Sequence, residues 1–327
     1  MRNVKIRFTK INYGILWWME VILLFSASSA GFCQFVTVPS YYTVDKTLSD
    51  SLASIVKSVG LDSTFNCGAD GMETISLAVI DLSGKRPVLG GVHYGEFIYP
   101  ASVYKIYVTM EVLKEISNGD YYLTTPYVVR FPNAVDVTRQ IPWDPRPVLQ
   151  VGDTVTIGYL LDLMVTRSDN SAANCLIDVA RRDSINKTID GYGWYGSEVT
   201  RKFLSRENED PAYKNARGTN TCALHAADFM YRVYTDQLVN PWVSRKMKAL
   251  LGMQLDTTKL LEGMPHNTMF YHKTGWWSTW TNDVGIVEYG DLKYIISCFT
   301  PVTEQEADPM MKELSKKVFA LMESMDK

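Results

Sequence analysis

Segments with the pattern of β-strands lie near both ends of this 327-residue chain, and helical patterns fill the middle. Two strand-like runs, residues 73–82 and 87–94, flank a Ser-Gly-Lys turn and predict a β-hairpin. Three more runs follow near the C-terminus, at residues 269–272, 283–288 and 294–299. Because strands far apart in the chain can share one sheet, this order predicts a mixed α/β (α+β) fold with an antiparallel five-stranded sheet flanked by helices.

Apolar residues recur at helical spacing around and between these strands. The predicted helices are residues 47–58, 102–117, 156–165, 171–180, 223–234, 242–251 and 303–325. We expect an α/β domain formed by residues 31–98 together with 220–327, and an all-helical lobe at 99–219. A cleft between the two is the expected functional site, and the irregular stretch 191–218 is of a length typical of functional loops.

The first thirty residues have the pattern of a secretory signal peptide. Four basic residues within the first ten precede an apolar stretch at 13–25, and small residues at 26–30 follow it. The pattern predicts an exported protein, periplasmic or secreted, with cleavage after Ala30. Cleavage after Cys33 and an uncleaved anchor helix are the alternatives. Removal of residues 1–30 would change the formal net charge from −3 to −6.

Charge and cysteine content exclude several classes of partner. The acidic mature chain has no basic run with interleaved aromatic residues, which argues against nucleic acid and an anionic membrane surface. We expect a monomer that takes a small-molecule substrate and needs no metal and no cofactor, since neither cysteines nor histidines have metal-ligand spacing. Disulfides or buried free thiols are both compatible with the five cysteines, which are Cys33, Cys67, Cys175, Cys222 and Cys298.

Three short motifs form one chemical pattern. Ser102-Val103-Tyr104-Lys105 opens a predicted helix, Ser168-Asp169-Asn170 precedes another, and Lys273-Thr274-Gly275 ends a strand. The i, i+3 spacing of Ser102 and Lys105 places a hydroxyl and an amine on one helix face, beside the free N–H groups of the helix N-terminus. Each motif alone has a simple structural explanation, namely a solvated helix face, an N-cap or a strand end. Their combination indicates nucleophilic chemistry.

In this order, the three motifs resemble those of the class A β-lactamases and the related penicillin-binding serine enzymes. The segments 166–174, 263–265 and 282–285 extend the resemblance, which covers about residues 41–327. It implies a β-lactamase-like fold and a serine β-lactamase that hydrolyses the β-lactam amide through an acyl-enzyme. The alternatives are a D-alanyl-D-alanine peptidase or other acyl-transfer enzyme, and a receptor-like penicillin-binding protein that does not hydrolyse.

The resemblance also implies how the chain would be acylated. Ser102 would be the nucleophile, and Lys105 would accept its proton. That role requires a substantially neutral amine near pH 7, so the pKa of Lys105 must be lowered by burial or by a nearby cation such as Lys273. Ser168 would pass the proton to the leaving nitrogen.

Further residues would bind the substrate on the same resemblance. Asn170 would contact the substrate's amide, and Lys273 and Thr274 would hold its carboxylate. The backbone N–H groups of Ser102 and Trp276 would form the oxyanion hole.

The chain departs from the family pattern where class A enzymes carry the glutamate that hydrolyses the acyl-enzyme. Glu207 is the predicted deacylating base and Glu209 the second candidate, yet Asp210-Pro211 follows where Leu-Asn is expected. The alternative is a solvated acidic loop without a base. In that case the protein would be acylated without turnover.

Two other departures affect substrate recognition. Many relatives place an arginine on the strand that contains residues 281–283, and none is present here. Three tryptophans, Trp276, Trp277 and Trp280, follow the Lys-Thr-Gly motif, and they either form a stacking wall for the substrate or pack in the interior.

Overall fold

The central β-sheet combines segments from both ends of the described chain. The structure is a computed structural model that describes residues 36–325, and its main sheet has the strand order β1-β5-β4-β12-β11-β10. Numbered along the chain, these strands are β1 (Thr43–Val44), β4 (Ser76–Asp81), β5 (Val88–Val92), β10 (Met269–Trp277), β11 (Trp280–Tyr289) and β12 (Leu292–Thr300). The five predicted antiparallel strands are confirmed. The sixth, β1, pairs in parallel with β5, and its two residues are too few to show a periodic pattern.

Three short antiparallel pairs lie outside the main sheet. They are β2 (Phe65–Asn66) with β3 (Met72–Glu73), β6 (Phe97–Ile98) with β9 (Thr221–Cys222), and β7 (Pro126–Val128) with β8 (Thr154–Thr156). The β6–β9 pair joins the two ends of the segment 99–220. The chain therefore leaves the sheet region and returns to it at one place.

Eight helices surround the main sheet or lie within the segment 99–220. They are α1 (Lys46–Ser58), α2 (Lys105–Asn118), α3 (Ile157–Thr166), α4 (Asn170–Ala180), α5 (Arg182–Gly191), α6 (Ala223–Tyr234), α7 (Pro241–Leu251) and α8 (Glu304–Met325). Seven of them match predicted helices. The sequence analysis missed α5, because only three of its ten residues are buried and one of those is Arg182.

Side-chain caps determine where several helices begin. Asp45 accepts the Leu48 N–H at 2.8 Å at the start of α1, and Thr156 accepts the Tyr159 N–H at 3.1 Å at the start of α3. Helix α2 ends at Gly119, whose φ of 90° favours glycine. Polar caps and a terminal glycine are visible in the sequence, which explains why the predicted helix boundaries are accurate.

Two apolar cores cover the two faces of the main sheet. Along β4, alternate side chains point to opposite faces, with Leu77 and Val79 on one and Ala78 and Ile80 on the other. The first face packs against α1 and α8, and the second against helices of the segment 99–251. Because both faces are covered, β4 is buried along its whole length.

Asp228 on α6 connects the N-terminal segment to the helices. Its carboxylate accepts hydrogen bonds from the hydroxyls of Tyr41 and Tyr42, from Trp194 Nε1 at 2.8 Å and from Arg232 Nε at 3.0 Å. Burial, together with the Asp228 charge, raises the pKa of both tyrosines, so their hydroxyls remain donors. One buried carboxylate thus satisfies four donors from three segments.

The predictions about the signal peptide at 1–30 and Cys33 concern residues outside the described range. The structure does describe the other four cysteines. Within residues 36–325, no helix has both the length and the apolar character needed to cross a membrane. The four described cysteines are buried free thiols, which confirms that alternative for Cys67, Cys175, Cys222 and Cys298.

We expect Asp228→Ala to lower the free energy of unfolding by about 3–5 kcal/mol, since it leaves the partly buried cation of Arg232 and three other donors without their acceptor. Urea unfolding followed by circular dichroism measures the change. Asp50→Ala is the matched control, because it removes only an exposed ion pair with Lys46 on α1 and should cost less than about 1 kcal/mol. Equal losses in the two variants would contradict this role of Asp228.

Candidate active site

Ser102 lies in a short 3₁₀ turn, Ala101–Tyr104, that continues directly into α2. Ala101 has a φ of 44°, so the backbone turns sharply just before the helix begins. The i, i+3 spacing brings Lys105 Nζ within 3.0 Å of Ser102 Oγ, as the motif predicts. The Lys105 side chain is completely buried.

The Lys105 amine has four oxygen neighbours. They are Ser102 Oγ at 3.0 Å, Ser168 O at 2.8 Å, Ser168 Oγ at 3.1 Å and Asn170 Oδ1 at 2.9 Å. The carbonyl of Ser168 and Asn170 Oδ1 can only accept, so they take two N–H donors. The third position of the amine faces the two hydroxyls, where a neutral Lys105 presents its lone pair. Lys105 is therefore placed to take a proton from a serine.

Ser168 connects Lys105 to a second lysine. It lies between α3 and α4 with a φ of 58°, and its Oγ is 3.0 Å from Lys273 Nζ on β10. Lys273 Nζ also donates to the carbonyl of Thr274 at 2.8 Å. The Ser168 hydroxyl thus lies within hydrogen-bond distance of two amines, that of Lys105 at the start of α2 and that of Lys273 on β10.

Burial lowers the pKa of both lysines. It lowers the pKa of Lys105 to about 7, with Arg139 adding to the decrease and Asp136 opposing it. The pKa of Lys273 also lies well below its usual value, because of burial and the adjacent Lys105. Lys105 therefore has a substantial neutral fraction near pH 7, which a general base requires.

Asp136 is a site residue that the sequence analysis missed. Its carboxylate accepts the backbone N–H of Asn170 at 2.7 Å and Asn170 Nδ2 at 3.1 Å, which turns Asn170 Oδ1 towards Lys105. Both amide atoms of Asn170 are thus engaged, so the predicted contact with a substrate amide requires these bonds to rearrange. Asp136 lies in a loop without a motif, so no pattern in the sequence marks it.

Gly275 brings β10 against the backbone of the Ser102 turn. A Cβ at this position would lie 2.6 Å from Ser102 N, 2.7 Å from Val103 N and 2.8 Å from Pro100 O. Only glycine permits this approach. The next residue, Trp276, consequently lies near the Ser102 backbone N–H, which is the arrangement that the predicted oxyanion hole needs.

The loop between α5 and β9 is held over α4 by Asn174. Asn174 Oδ1 accepts the Phe203 N–H at 2.8 Å, and its Nδ2 donates to the Phe203 carbonyl at 3.2 Å. Asn174 is one helical turn beyond Asn170, so the two lie on the same face of α4. The Phe203 ring contacts Trp277 edge to face, with centroids 5.1 Å apart. Phe203 therefore bridges α4 and β10 beside the acylation cluster, which consists of Ser102, Lys105, Ser168 and Lys273.

The two glutamates of this loop that were predicted as candidate bases lie elsewhere. Glu207 is exposed, and no hydrogen bond or ion pair within residues 36–325 involves its carboxylate. Glu209 is buried, where it accepts from Arg182 Nη2 at 2.5 Å and from the Lys202 N–H at 3.0 Å. In the described structure neither carboxylate contacts Ser102, Lys105 or Ser168. The role predicted for Glu207 has no support from its surroundings.

The three tryptophans divide between packing and exposure. Trp280 is buried and donates to Glu73 Oε2 at 2.7 Å, which agrees with an interior role. Trp276 and Trp277 are 50% and 49% exposed. The latter two are therefore available to a bound molecule.

The family comparison agrees with this geometry. Residues 62–322 match the model of the Beta-lactamase enzyme family, so the chain belongs to that family. No curated protein sequence matches the chain.

Several solved structures have the same fold. PBP-A matches with a TM-score of 0.71 and 16% identity, covering 88% of this chain and 100% of its own. A β-lactamase from Sphaerobacter thermophilus matches with a TM-score of 0.69 and 18% identity, covering 84% and 98%. An ancestral class A β-lactamase matches with a TM-score of 0.67 and 19% identity, covering 84% and 99%. The β-lactamase-like fold is confirmed.

We expect the reaction of Ser102 with a fluorophosphonate to accelerate as the pH rises through about 7, because only neutral Lys105 accepts the serine proton. Mass spectrometry of the labelled protein gives the rate at each pH, and Ser102→Ala is the unlabelled control. A rate that does not change across this pH range would contradict the assignment of Lys105 as the base.

We expect Gly275→Ala to slow the same labelling about 100-fold, since its methyl group would displace the Ser102 backbone by a large fraction of an ångström. Gly191→Ala is the control, because nothing lies within 4 Å of its added Cβ and its φ is ordinary. Similar labelling rates for the two variants would show that the contact at Gly275 does not position Ser102.

Proposed function

We propose that this member of the beta-lactamase family is acylated on Ser102 by β-lactams and releases the acyl group slowly. The observation that carries the proposal is the buried Lys105 amine, which lies within 3.1 Å of both the Ser102 and Ser168 hydroxyls and has a pKa of about 7. A mutant of PBP-A, 16% identical to this chain with a TM-score of 0.70, is solved as an acyl-enzyme complex with penicillin G. This likeness supports β-lactams as the acylating substrates.

Acylation follows from the positions of three side chains. Ser102 Oγ attacks the carbonyl carbon of the β-lactam amide while Lys105 takes its proton, and the N–H groups of Ser102 and Trp276 stabilise the oxyanion. The C–N bond then breaks, and Ser168 Oγ gives its proton to the leaving nitrogen. Ser168 regains a proton from Lys105, 3.1 Å away, so Lys105 returns to its neutral form. The product is an ester on Ser102.

Lys273 and Thr274 supply the binding site for the substrate's carboxylate in this proposal. In the free protein, burial and Lys105 keep the pKa of Lys273 low. A carboxylate bound beside it raises that pKa, because an opposite charge favours the ammonium form. Substrate binding and protonation of Lys273 are therefore coupled. This coupling compensates for the missing arginine on β11.

Hydrolysis of the ester needs a group that activates water, and no carboxylate within residues 36–325 contacts the side chains of Ser102, Lys105 or Ser168. The loop residue held beside the cluster by Asn174 is Phe203, whose ring cannot accept a proton. Glu207 is exposed to solvent, and Glu209 is paired with Arg182. These positions favour a long-lived acyl-enzyme, the non-hydrolysing alternative, over the rapid hydrolysis expected from the sequence.

Rapid β-lactam hydrolysis is the second candidate function. The specific observation in its favour is the fold shared with the Sphaerobacter thermophilus and ancestral β-lactamases. The two functions predict different lifetimes of the acyl-enzyme. A direct measurement of that lifetime therefore distinguishes them.

We expect a fluorescent penicillin to label the wild-type protein covalently and to remain attached after gel electrophoresis, with no label on Ser102→Ala. Intact-mass spectrometry at successive times gives the lifetime of the adduct. Label on Ser102→Ala would remove Ser102 from the mechanism. Loss of the adduct within seconds would support the hydrolytic function instead.

We expect Phe203→Glu to shorten the acyl-enzyme lifetime about 100-fold, because it places a carboxylate at the loop position that Asn174 holds beside the cluster. Phe203→Leu controls for the lost contact with Trp277. Glu207→Gln should leave the lifetime unchanged. A longer lifetime in Glu207→Gln would instead establish Glu207 as the deacylating base, as the sequence pattern suggests.

A further inference from the structure

A cavity of about 410 Å³ beside the acylation cluster combines aromatic walls with unmatched positive charge. Tyr104, Phe203 and Trp277 supply aromatic surface, and Arg201 and Lys202 are the only charged residues that line it. Lys202 is neutralised, because its amine contacts Asp178 at 2.5 Å and Asn133 Oδ1 at 2.9 Å. The remaining charge in the cavity is that of Arg201.

Arg201 has no partner among the described residues. It takes part in no hydrogen bond or ion pair within residues 36–325, and its Nε is buried without an acceptor. Burial and the nearby Arg206 lower the pKa of the guanidinium, and Glu209 and Tyr99 oppose this decrease only in part. A partly buried cation without a counter-ion is costly unless a bound anion neutralises it.

The Tyr104 hydroxyl is a second unsatisfied group, on a side chain that lines the same cavity. Tyr104 is only 6% exposed, and its Oη has no hydrogen-bond partner in the described structure. Burial raises its pKa, so the hydroxyl keeps its proton and acts as a donor. Two side chains that line this cavity thus carry a buried donor without an acceptor in the described structure, and one of them, Tyr104, is more than nine-tenths buried.

An adjoining cavity of about 470 Å³ shares Arg201 and Trp277 but is less suited to an anion. Asp70 and Glu73 line it, and they do not line the first cavity. Arg217 is already paired with Glu198, and Arg206, which also lines this cavity, donates to the carbonyls of Lys214 and Ala216. The carboxylates of Asp70 and Glu73 thus offset positive charge in this second cavity, whereas no carboxylate lines the first.

The position of the cavity indicates which part of a substrate it faces. It is lined by Tyr104, two residues after Ser102, and by Trp277, two residues after Gly275 and on the same strand face. It is not lined by Ser168 or Lys273, which in the proposed function serve the leaving nitrogen and the substrate's carboxylate. In the proposed function, the cavity is therefore left for the acyl substituent.

We propose that this cavity is an anion subsite for the acyl substituent, in which Arg201 and the Tyr104 hydroxyl bind a carboxylate and Phe203 and Trp277 contact the adjoining apolar part. The inference rests on the proposed function and adds a substrate class to it. The preferred acyl donors carry a second negative charge, on the acyl side of the bond that breaks.

Three penicillins with almost the same shape test the subsite. Carbenicillin has a carboxylate on its phenylacetyl side chain, benzylpenicillin has none, and ampicillin has an ammonium group at the same carbon. The second-order rate of acylation should fall in that order, with carbenicillin at least about tenfold faster than benzylpenicillin. Glutaryl-7-aminocephalosporanic acid, with a carboxylate at the end of a longer chain, covers the case in which the short side chain does not reach Arg201.

Substitutions then locate the effect. Arg201→Gln should remove the preference for the anionic side chain, and Arg201→Lys should restore part of it. Tyr104→Phe should weaken the preference without lowering the melting temperature, since the deleted hydroxyl has no partner. Arg245→Gln, which removes one exposed charge on α7, is the matched control and should keep the full preference. Equal acylation by the anionic and neutral compounds in the wild type would overturn the subsite.

A measurement without acylation separates this inference from the proposed function. Phenylmalonate should bind the wild type and change its tryptophan fluorescence, and it should bind Arg201→Gln at least about tenfold more weakly. If no penicillin acylates Ser102 but this difference holds, the proposed function fails and the anion site stands. If Arg201→Gln binds phenylmalonate as the wild type does, the anion site is wrong whatever the acylation result.

Discussion

The burial of the Lys105 amine among three oxygen-bearing residues is the constraint on which the site depends. Lys105 reaches Ser102 through one helical step, but its contacts with Ser168 and Asn170 come from the turn before α4 and the first residue of α4, more than sixty residues later. The same contacts hold Ser168 in a left-handed conformation that a serine rarely adopts. Removal of the amine from water lowers its pKa to about 7 and turns an ordinary cation into a base.

Helix α4 organises two separate parts of the site from one face. Asn170 at its first turn contacts Lys105, and Asn174 one turn later clamps the backbone of Phe203. In the proposed function, the contact between Asn170 and Lys105 serves acylation. The contact between Asn174 and the loop backbone makes Phe203 the loop residue that lies beside the acylation cluster. Because these are different side chains, the chemistry that forms an acyl-enzyme and the chemistry that would hydrolyse it can change independently. In the proposed function, an apolar residue at position 203 would slow hydrolysis of the acyl-enzyme and leave the contact between Ser102 and Lys105 unchanged.

The same loop also sets the character of the neighbouring cavity. Arg201 and Phe203 are two residues apart, and both line it. Asn174 fixes the loop backbone at Phe203, while Glu209 ties the loop to α5 through Arg182. The carboxylate that the sequence offered as a second candidate base therefore stabilises the loop. In the proposed subsite, the charge of Arg201 stays free for a ligand, because Glu209 pairs with Arg182 instead.

Local patterns in the sequence determined most of the secondary structure and the identity of the acylation cluster. Periodicity, the Asp45 and Thr156 caps and the terminal Gly119 predict helix boundaries, because these signals act within a few residues. The spacing of Ser102 and Lys105 is likewise local. The short strand β1 and helix α5 escaped prediction, since one has two residues and the other buries few apolar side chains.

Only the tertiary structure decided what surrounds that cluster. Asp136 carries no motif, and its hydrogen bonds to Asn170 join residues 34 positions apart. Counting along the loop indicated Glu207, whereas the Asn174 clamp presents Phe203, because a loop's register is set by contacts with distant residues. The unmatched charge of Arg201 arises in the same way. Whether a charge has a partner depends on which side chains the fold brings near it, and sequence spacing does not contain that information.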